Sequence, residues 1–384
     1  MGTRLALGMS RVSLTAVLLL AISGTGLTRG MVTRAVQAAR VQTDTSFAGT
    51  VARLSEAAGY FDSDNLISNE TSYLHAVSKM RQVGVSGGAY IGVGPDQSFS
   101  YIAAIRPTIA YLLDIRRDNL LMHLMFKALF ERSRNRLEYL CRWLGRPVPP
   151  DVAAWDARPI EEVIARVDSL ALEAEASRQE AEALMAAIAR YGVPLSSEDS
   201  STIRRFHAEF SRLGLNIRFT STGRAPRTHY PTLRQLILER DLEGGQANYL
   251  TSRARWQFLK ELHGRNRIIP VVGNLAGDRA FPAVGRDIAS RGERVSALYV
   301  SNVEMYLWRD GLFDTFARTT VSLPRDSHSV IIRSFFGGGF GQYHPMNNPG
   351  HVSTQLVQTL DDFADRQRRG GWTSYWELVT SGNR

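Results

Sequence analysis

The sequence holds one cysteine, Cys141, which excludes any intrachain disulfide and any cysteine-based zinc module. Lysine is almost missing: Lys79, Lys127 and Lys260 stand alone among 46 basic residues, the rest being arginine. The phosphate-binding loop that ends in Gly-Lys-Ser/Thr is absent with it. No internal repeat occurs. Although the net charge is +9, the arginines are scattered and form no compact run with interleaved aromatics, which argues against a nucleic-acid partner. Long apolar runs are missing too. Val12–Ile22 (VSLTAVLLLAI) falls short of the roughly 20 residues a membrane helix needs.

That short run follows Arg4 and Arg11 and has the form of a signal-peptide core. Residues 1–38 therefore read as a leader or membrane anchor plus linker, and the protein as exported or tethered through residues 12–22. Ser23-Gly24-Thr25 and Val36-Gln37-Ala38 both offer small residues for cleavage, and no cysteine follows that could carry a lipid. A start at Met31 would instead leave no export signal.

The remainder has the composition of a globular protein, with 44% hydrophobic and 22% charged residues in a chain of 384. Strands are expected at 89–93, 108–113, 267–272, 295–300 and 328–336, and an edge strand at 372–379. Helices are expected from Ser68 or Asn69 to Arg81, at 99–105, 119–144, 158–191 and 196–213, and at 352–368. The result is an α/β protein with a mostly parallel, doubly wound, Rossmann-like sheet. Its first part spans 39–145, a helical insertion 146–245, and its second part 246–384. Cys141 lies on an apolar helix face and reads as a buried, inert thiol.

Five of these strands carry their distinctive residues at the carboxyl end. These are Gly92 and Gly94, Asp114, Asn274, Asn302 with Glu304, and the glycines from Gly337 to Gly341. Open parallel sheets bind ligands beyond that edge, where loops and helix N-termini converge. About 20 residues separate Gly92 from Asp114, the interval expected between a glycine turn and an acid that accepts from a ribose diol. A dinucleotide fingerprint would place a third glycine where this chain has Gln97, so NAD and FAD fit poorly. Pro95 and Asp96 suit a ligand without a pyrophosphate.

In these positions the chain resembles the class I S-adenosylmethionine-dependent methyltransferases. The resemblance implies Gly92, Gly94, Asp96 and Gln97 in the cofactor loop, Asp114 for ribose, Asn274 for adenine, and Asn302 with Glu304 toward the substrate. Residues 68–73 (SNETSY), 90–97 (YIGVGPDQ), 101–103 (YIA) and 114–117 (DIRR) also resemble a bacterial family of exported, methyltransferase-like proteins with no assigned reaction. Against a working methyltransferase stand Tyr90 where a polar group is usual, Asn274 where an acid is usual, and the leader.

Each candidate has a plain structural alternative. The glycines can serve a tight turn alone, Asp114 can pair with Arg116 or Arg117, and Asn69 and Glu70 can cap a helix. Glu304 would need burial to act as a general base. His344, in a glycine-rich loop, is the best titratable candidate; with His351 it lacks further ligands for a metal. Three readings follow: a methyltransferase with Glu304 or His344 accepting the proton, an exported non-catalytic binding protein that keeps the fold, and an NADP-type oxidoreductase using Arg116 and Arg117. All three have a small-molecule ligand as partner.

Overall fold

Ala89–Gly92 (β1), Ile109–Asp114 (β2), Ile268–Val272 (β3), Val295–Ser301 (β4) and Val330–Phe335 (β5) are buried almost throughout. Both faces of each strand are covered, which is why they read as continuous apolar runs. In the computed structural model, which describes residues 46–222, 227–337 and 343–383, they lie in the order β3-β2-β1-β4-β5 with every pairing parallel. A sixth strand, Thr354–Thr359 (β6), pairs antiparallel with β5 at the edge. The chain moves outward from β1 to β3, then returns to the other side of β1 at β4. This switch of direction puts the carboxyl ends of β1 and β4 side by side, as in Rossmann-like sheets.

The helices are α1 (Phe47–Leu54), α2 (His75–Val83), α3 (Gln97–Ile105), α4 (Arg117–Arg132) and α5 (Arg136–Trp143). The helical block contains α6 (Ile160–Asp168), α7 (Ala174–Ala189), α8 (Ser197–Leu213) and α9 (Leu233–Leu238). Then come α10 (Arg253–Gly264), α11 (Ala280–Ser290), α12 (Val303–Arg309), α13 (Phe313–Ser322), α14 (Leu360–Arg368) and α15 (Tyr375–Thr380). The block is no separate body: α7 and α8 pack on α4, and residues from Ser46 onward form one unit. The leader assigned to 1–38 lies outside the described residues. Among those described, no helix is long and apolar enough to cross a membrane.

Five expected elements differ. The helix expected from Ser68 or Asn69 begins only at His75. The helix expected over 119–144 is two, because Ser133 leaves helical backbone and Asn135 caps α5 by accepting from the Glu138 N–H. The stretch 158–191 likewise breaks between α6 and α7. The helix expected over 352–368 begins only at Leu360, and its first part is β6. The edge strand expected at 372–379 is instead α15, capped by Ser374.

Aromatic packing fills the space between α3, α4, α5 and α10. Phe99 meets Phe130 edge-on at 5.6 Å, and the uncharged His263 ring stacks on Phe130 at 4.7 Å. Cys141 is buried, and burial pushes its thiol up to about 12, so it is inert. The lysines serve as internal braces. Lys260 donates to the carbonyls of Phe130, Glu131 and Ser133, Lys127 reaches Glu131 and the His263 carbonyl, and Lys79 reaches the Gln355 carbonyl at 2.8 Å.

Candidate functional site

Parallel pairing brings the carboxyl ends of β1 to β5 to one rim, so Gly94, Asp114, Asn274 and Asn302 do share an edge. Gly273 N–H donates to the Asp114 carbonyl at 2.8 Å, and Gly94 N–H reaches Asp114 Oδ2 at 3.3 Å. The rim is covered by the chain itself. Glu56 N–H donates to the Val272 carbonyl, Gly59 N–H to the Ile115 carbonyl, and the guanidinium of Arg116 to the carbonyls of Ser63 and Asp64. Residues 55–65 are thereby laced across the tips of β3 and β2.

Asp114 is fully engaged. Oδ1 accepts from the backbone N–H of Arg116 and from its Nε, both at 3.0 Å. Oδ2 accepts from Arg116 Nη2 at 2.9 Å and from Gly94 N–H. A carboxylate offers about four lone-pair positions, and four donors occupy them. The Arg116 pairing is thus the alternative that holds at this position. Arg117 points elsewhere, to Asp199 on α8, with Nη2 2.7 Å from Oδ2.

The glycine loop is equally occupied by its neighbours. A Cβ on Gly92 would sit 2.4 Å from the Tyr90 hydroxyl oxygen and 2.6 Å from the ring, so Gly92 is required by the tyrosine two residues back on the same strand face. Gly94 adopts a left-handed φ of 78°. Beneath it, His123 Nε2–H donates to the Gly94 carbonyl at 2.9 Å, and burial lowers this imidazole to about 4. Asp96 turns away from the rim into the aromatic core. There Tyr249 donates to it at 3.3 Å, and burial raises its carboxyl to about 7.

Gln97 faces a second cluster. Its carboxamide nitrogen donates to the Tyr299 hydroxyl oxygen and, at 3.2 Å, to Glu70 Oε2. Glu70 is the centre of this cluster and is no helix cap. It is 1% exposed, and it also accepts from the Tyr299 hydroxyl at 2.6 Å, from Ser301 Oγ and from Gln355 Nε2 at 2.9 Å. Ser301 reaches it from a left-handed φ of 52°, a strained conformation for serine that ends β4. Asn302 follows directly, its Oδ1 3.4 Å from Ser301 Oγ. Burial keeps the Tyr299 phenol protonated and donating.

The remaining candidates sit in structural roles. Asn274 Oδ1 accepts from Ala276 N–H in a local turn, while Glu56 accepts from the backbone N–H groups of Asn274 at 2.7 Å and Ala280 at 3.0 Å. Glu304 forms a fully buried fork with Arg333, Nε–Oε2 2.6 Å and Nη2–Oε1 3.1 Å. Arg333 is also held by Gln358 and Asn383 at 2.9 Å each. The fork gives Glu304 a structural partner in place of the free carboxylate that the general-base role expected of it. His344 is corrected for a similar reason: Nδ1 accepts from Met346 N–H and Nε2–H donates to the Val379 carbonyl, both at 3.1 Å. Burial lowers its pKa, so it is a neutral loop fastener. Of the glycine run, only Gly337 is described; residues 338–342 lie outside.

Sequence reasoning missed Glu70 as a network centre and missed Arg333, Tyr299 and Gln355 entirely. One signal was present. An arginine inside the apolar strand VIIRSF requires a buried counter-charge.

A family model described as a domain of unknown function, DUF7790, matches residues 66–148 and 178–375. The chain belongs to that family. The match takes in Asp114, Arg116, Glu70 and Tyr299, begins after residues 55–65, and leaves out residues 149–177, which hold α6 and the start of α7. No curated protein matches the chain.

Proposed function

We propose that this protein is an exported, non-catalytic binding protein built on a methyltransferase-like, Rossmann-like fold. One observation carries the reading: the acid that would hold a ribose diol has every acceptor position taken by Arg116 and by Gly94 N–H. The residues at the rim do not fit S-adenosylmethionine. Asp114 and Glu304 are paired with arginines, Asn274 Oδ1 accepts within its own loop, and residues 55–65 hydrogen-bond to the tips of β3 and β2. The same pairings oppose an NADP-type oxidoreductase, since Arg116 and Arg117 already hold carboxylates.

Calorimetric titration of the full chain with S-adenosylmethionine, S-adenosylhomocysteine and NADPH tests this. The expected result is no binding of any of the three at millimolar ligand. Micromolar binding that Asp114→Ala abolishes would overturn it. The methyltransferase reading is kept second by the strand order, with its glycine turn at the switch between β1 and β4. It requires Arg116 to release Asp114, and the same titration decides it. Export is tested by fractionating cells that produce the full chain and locating the protein.

A further inference from the structure

Outside the rim clusters, three potential ligand side chains meet from distant parts of the chain. They are His75 in the first turn of α2, Glu239 at the end of α9, and His351 in the loop leading to β6. One donor atom from each lies within 4.8 Å of the other two. His351 Nε2 is 3.5 Å from Glu239 Oε1, and the two imidazole centroids are 4.6 Å apart. Tetrahedral zinc with bonds of roughly 2.0–2.2 Å sets its ligands about 3.3 Å apart. The His351–Glu239 edge already has nearly that length. His75 needs a movement on the order of 1 Å, within reach of a side-chain rotation.

The surroundings suit a cation. Two imidazoles and one carboxylate form a known zinc ligand set that leaves a fourth position for water. His75 is buried while Glu239 and His351 are half-buried, so that fourth position faces solvent. His75 also has an outer partner: Asn348 Nδ2 lies 3.1 Å from its Nδ1, and a half-turn of the carboxamide exchanges that nitrogen for the oxygen. With the carboxamide oxygen turned toward the ring, Nδ1–H donates and the Nε2 lone pair is free for a metal, the usual support for a ligating histidine. Glu239 Oε1 accepts from the Arg240 N–H at 3.0 Å and faces His351 Nε2 at 3.5 Å.

We propose that His75, Glu239 and His351 bind one divalent transition-metal ion, zinc by ligand type, with water completing a tetrahedron. The ion fastens α9 of the helical block and the loop before β6 to the start of α2. This site is separate from the rim and does not depend on how the rim is read.

The test uses the full chain, stripped with chelator and dialysed, then titrated with zinc by calorimetry and with cobalt(II) by visible absorption. The expected result is one ion per chain and an intense, tetrahedral cobalt spectrum. Asn348→Ala should weaken zinc by roughly 10–100-fold, and His351→Gln and Glu239→Gln by more than that. His328→Gln, whose ring is bonded to the Val83 carbonyl far along α2, should change nothing. Melting curves recorded in chelator establish that each variant is folded. Absence of stoichiometric binding by the parent would overturn the proposal. So would equal affinity in folded His351→Gln and Glu239→Gln.

Discussion

Replacing Asp114 by asparagine removes one charge from a buried pair and leaves the guanidinium of Arg116 in place. The new side chain has a single acceptor oxygen, and its NH2 group is directed at donors that Asp114 had satisfied. Arg116 keeps that oxygen and the carbonyls of Ser63 and Asp64, all neutral acceptors. Breaking a buried ion pair from one side costs about 3–5 kcal/mol. At an unfolding entropy of about 2.1 cal/mol/K per residue, the roughly 330 described residues give about 0.7 kcal/mol/K, so the melting temperature should fall by about 4–7 °C. Circular dichroism melts of Asp114→Asn, Arg116→Met and the double variant form a cycle. The double variant should recover part of the loss, because no uncompensated charge remains. A fall of less than about 1 °C in Asp114→Asn would refute the claim that Asp114 is committed to the fold, since a lost buried pair cannot be that small.

Glu304→Gln should destabilise by a similar amount, about 3–5 kcal/mol, by leaving Arg333 buried against a neutral group. Urea unfolding measures it, and a loss below about 1 kcal/mol would contradict the buried fork. Asp96 gives a pH signature. Its carboxyl titrates near 7 in the folded protein but at the ordinary, much lower value when unfolded. The native state therefore binds the extra proton between these values, and stability falls as pH rises from about 4 to about 7. Asp96→Asn should flatten that slope in melts across the interval; an unchanged slope would assign it to another group.

The five parallel strands were readable because burial on both faces writes them as uninterrupted apolar runs between glycine, asparagine and acid. The shared rim followed from that alone. β6 was not readable, since its sequence TQLVQT shows no simple alternation. Gln355 and Gln358 are buried there because they bond Glu70 and Arg333, partners distant in the chain. The same limit governed the site. Arg116 lies two residues from Asp114, and their pairing could be foreseen. Arg333 lies on β5 while Glu304 opens α12, and His75 lies on α2 while His351 is in the loop before β6. Only the folded chain brings them together. Ser68, Asn69 and Glu70 read as a helix start because these types favour a cap and first turn, but α2 begins only at His75; Ser68 Oγ accepts from the Glu70 N–H in a local turn, and the carboxylate faces the cluster.

The internal placement of the lysines bears on how this surface behaves toward chemistry. Lys79, Lys127 and Lys260 have their ammonium groups turned onto carbonyls, so among the described residues the outer positive charge is guanidinium. Lys79 and Lys127 are buried and Lys260 is half-buried, so amine-directed labels meet no fully exposed lysine there, and acetylation cannot discharge the arginine envelope. Alkali cannot either until roughly pH 12, where an ammonium-coated protein would have begun to lose its charge about two pH units sooner.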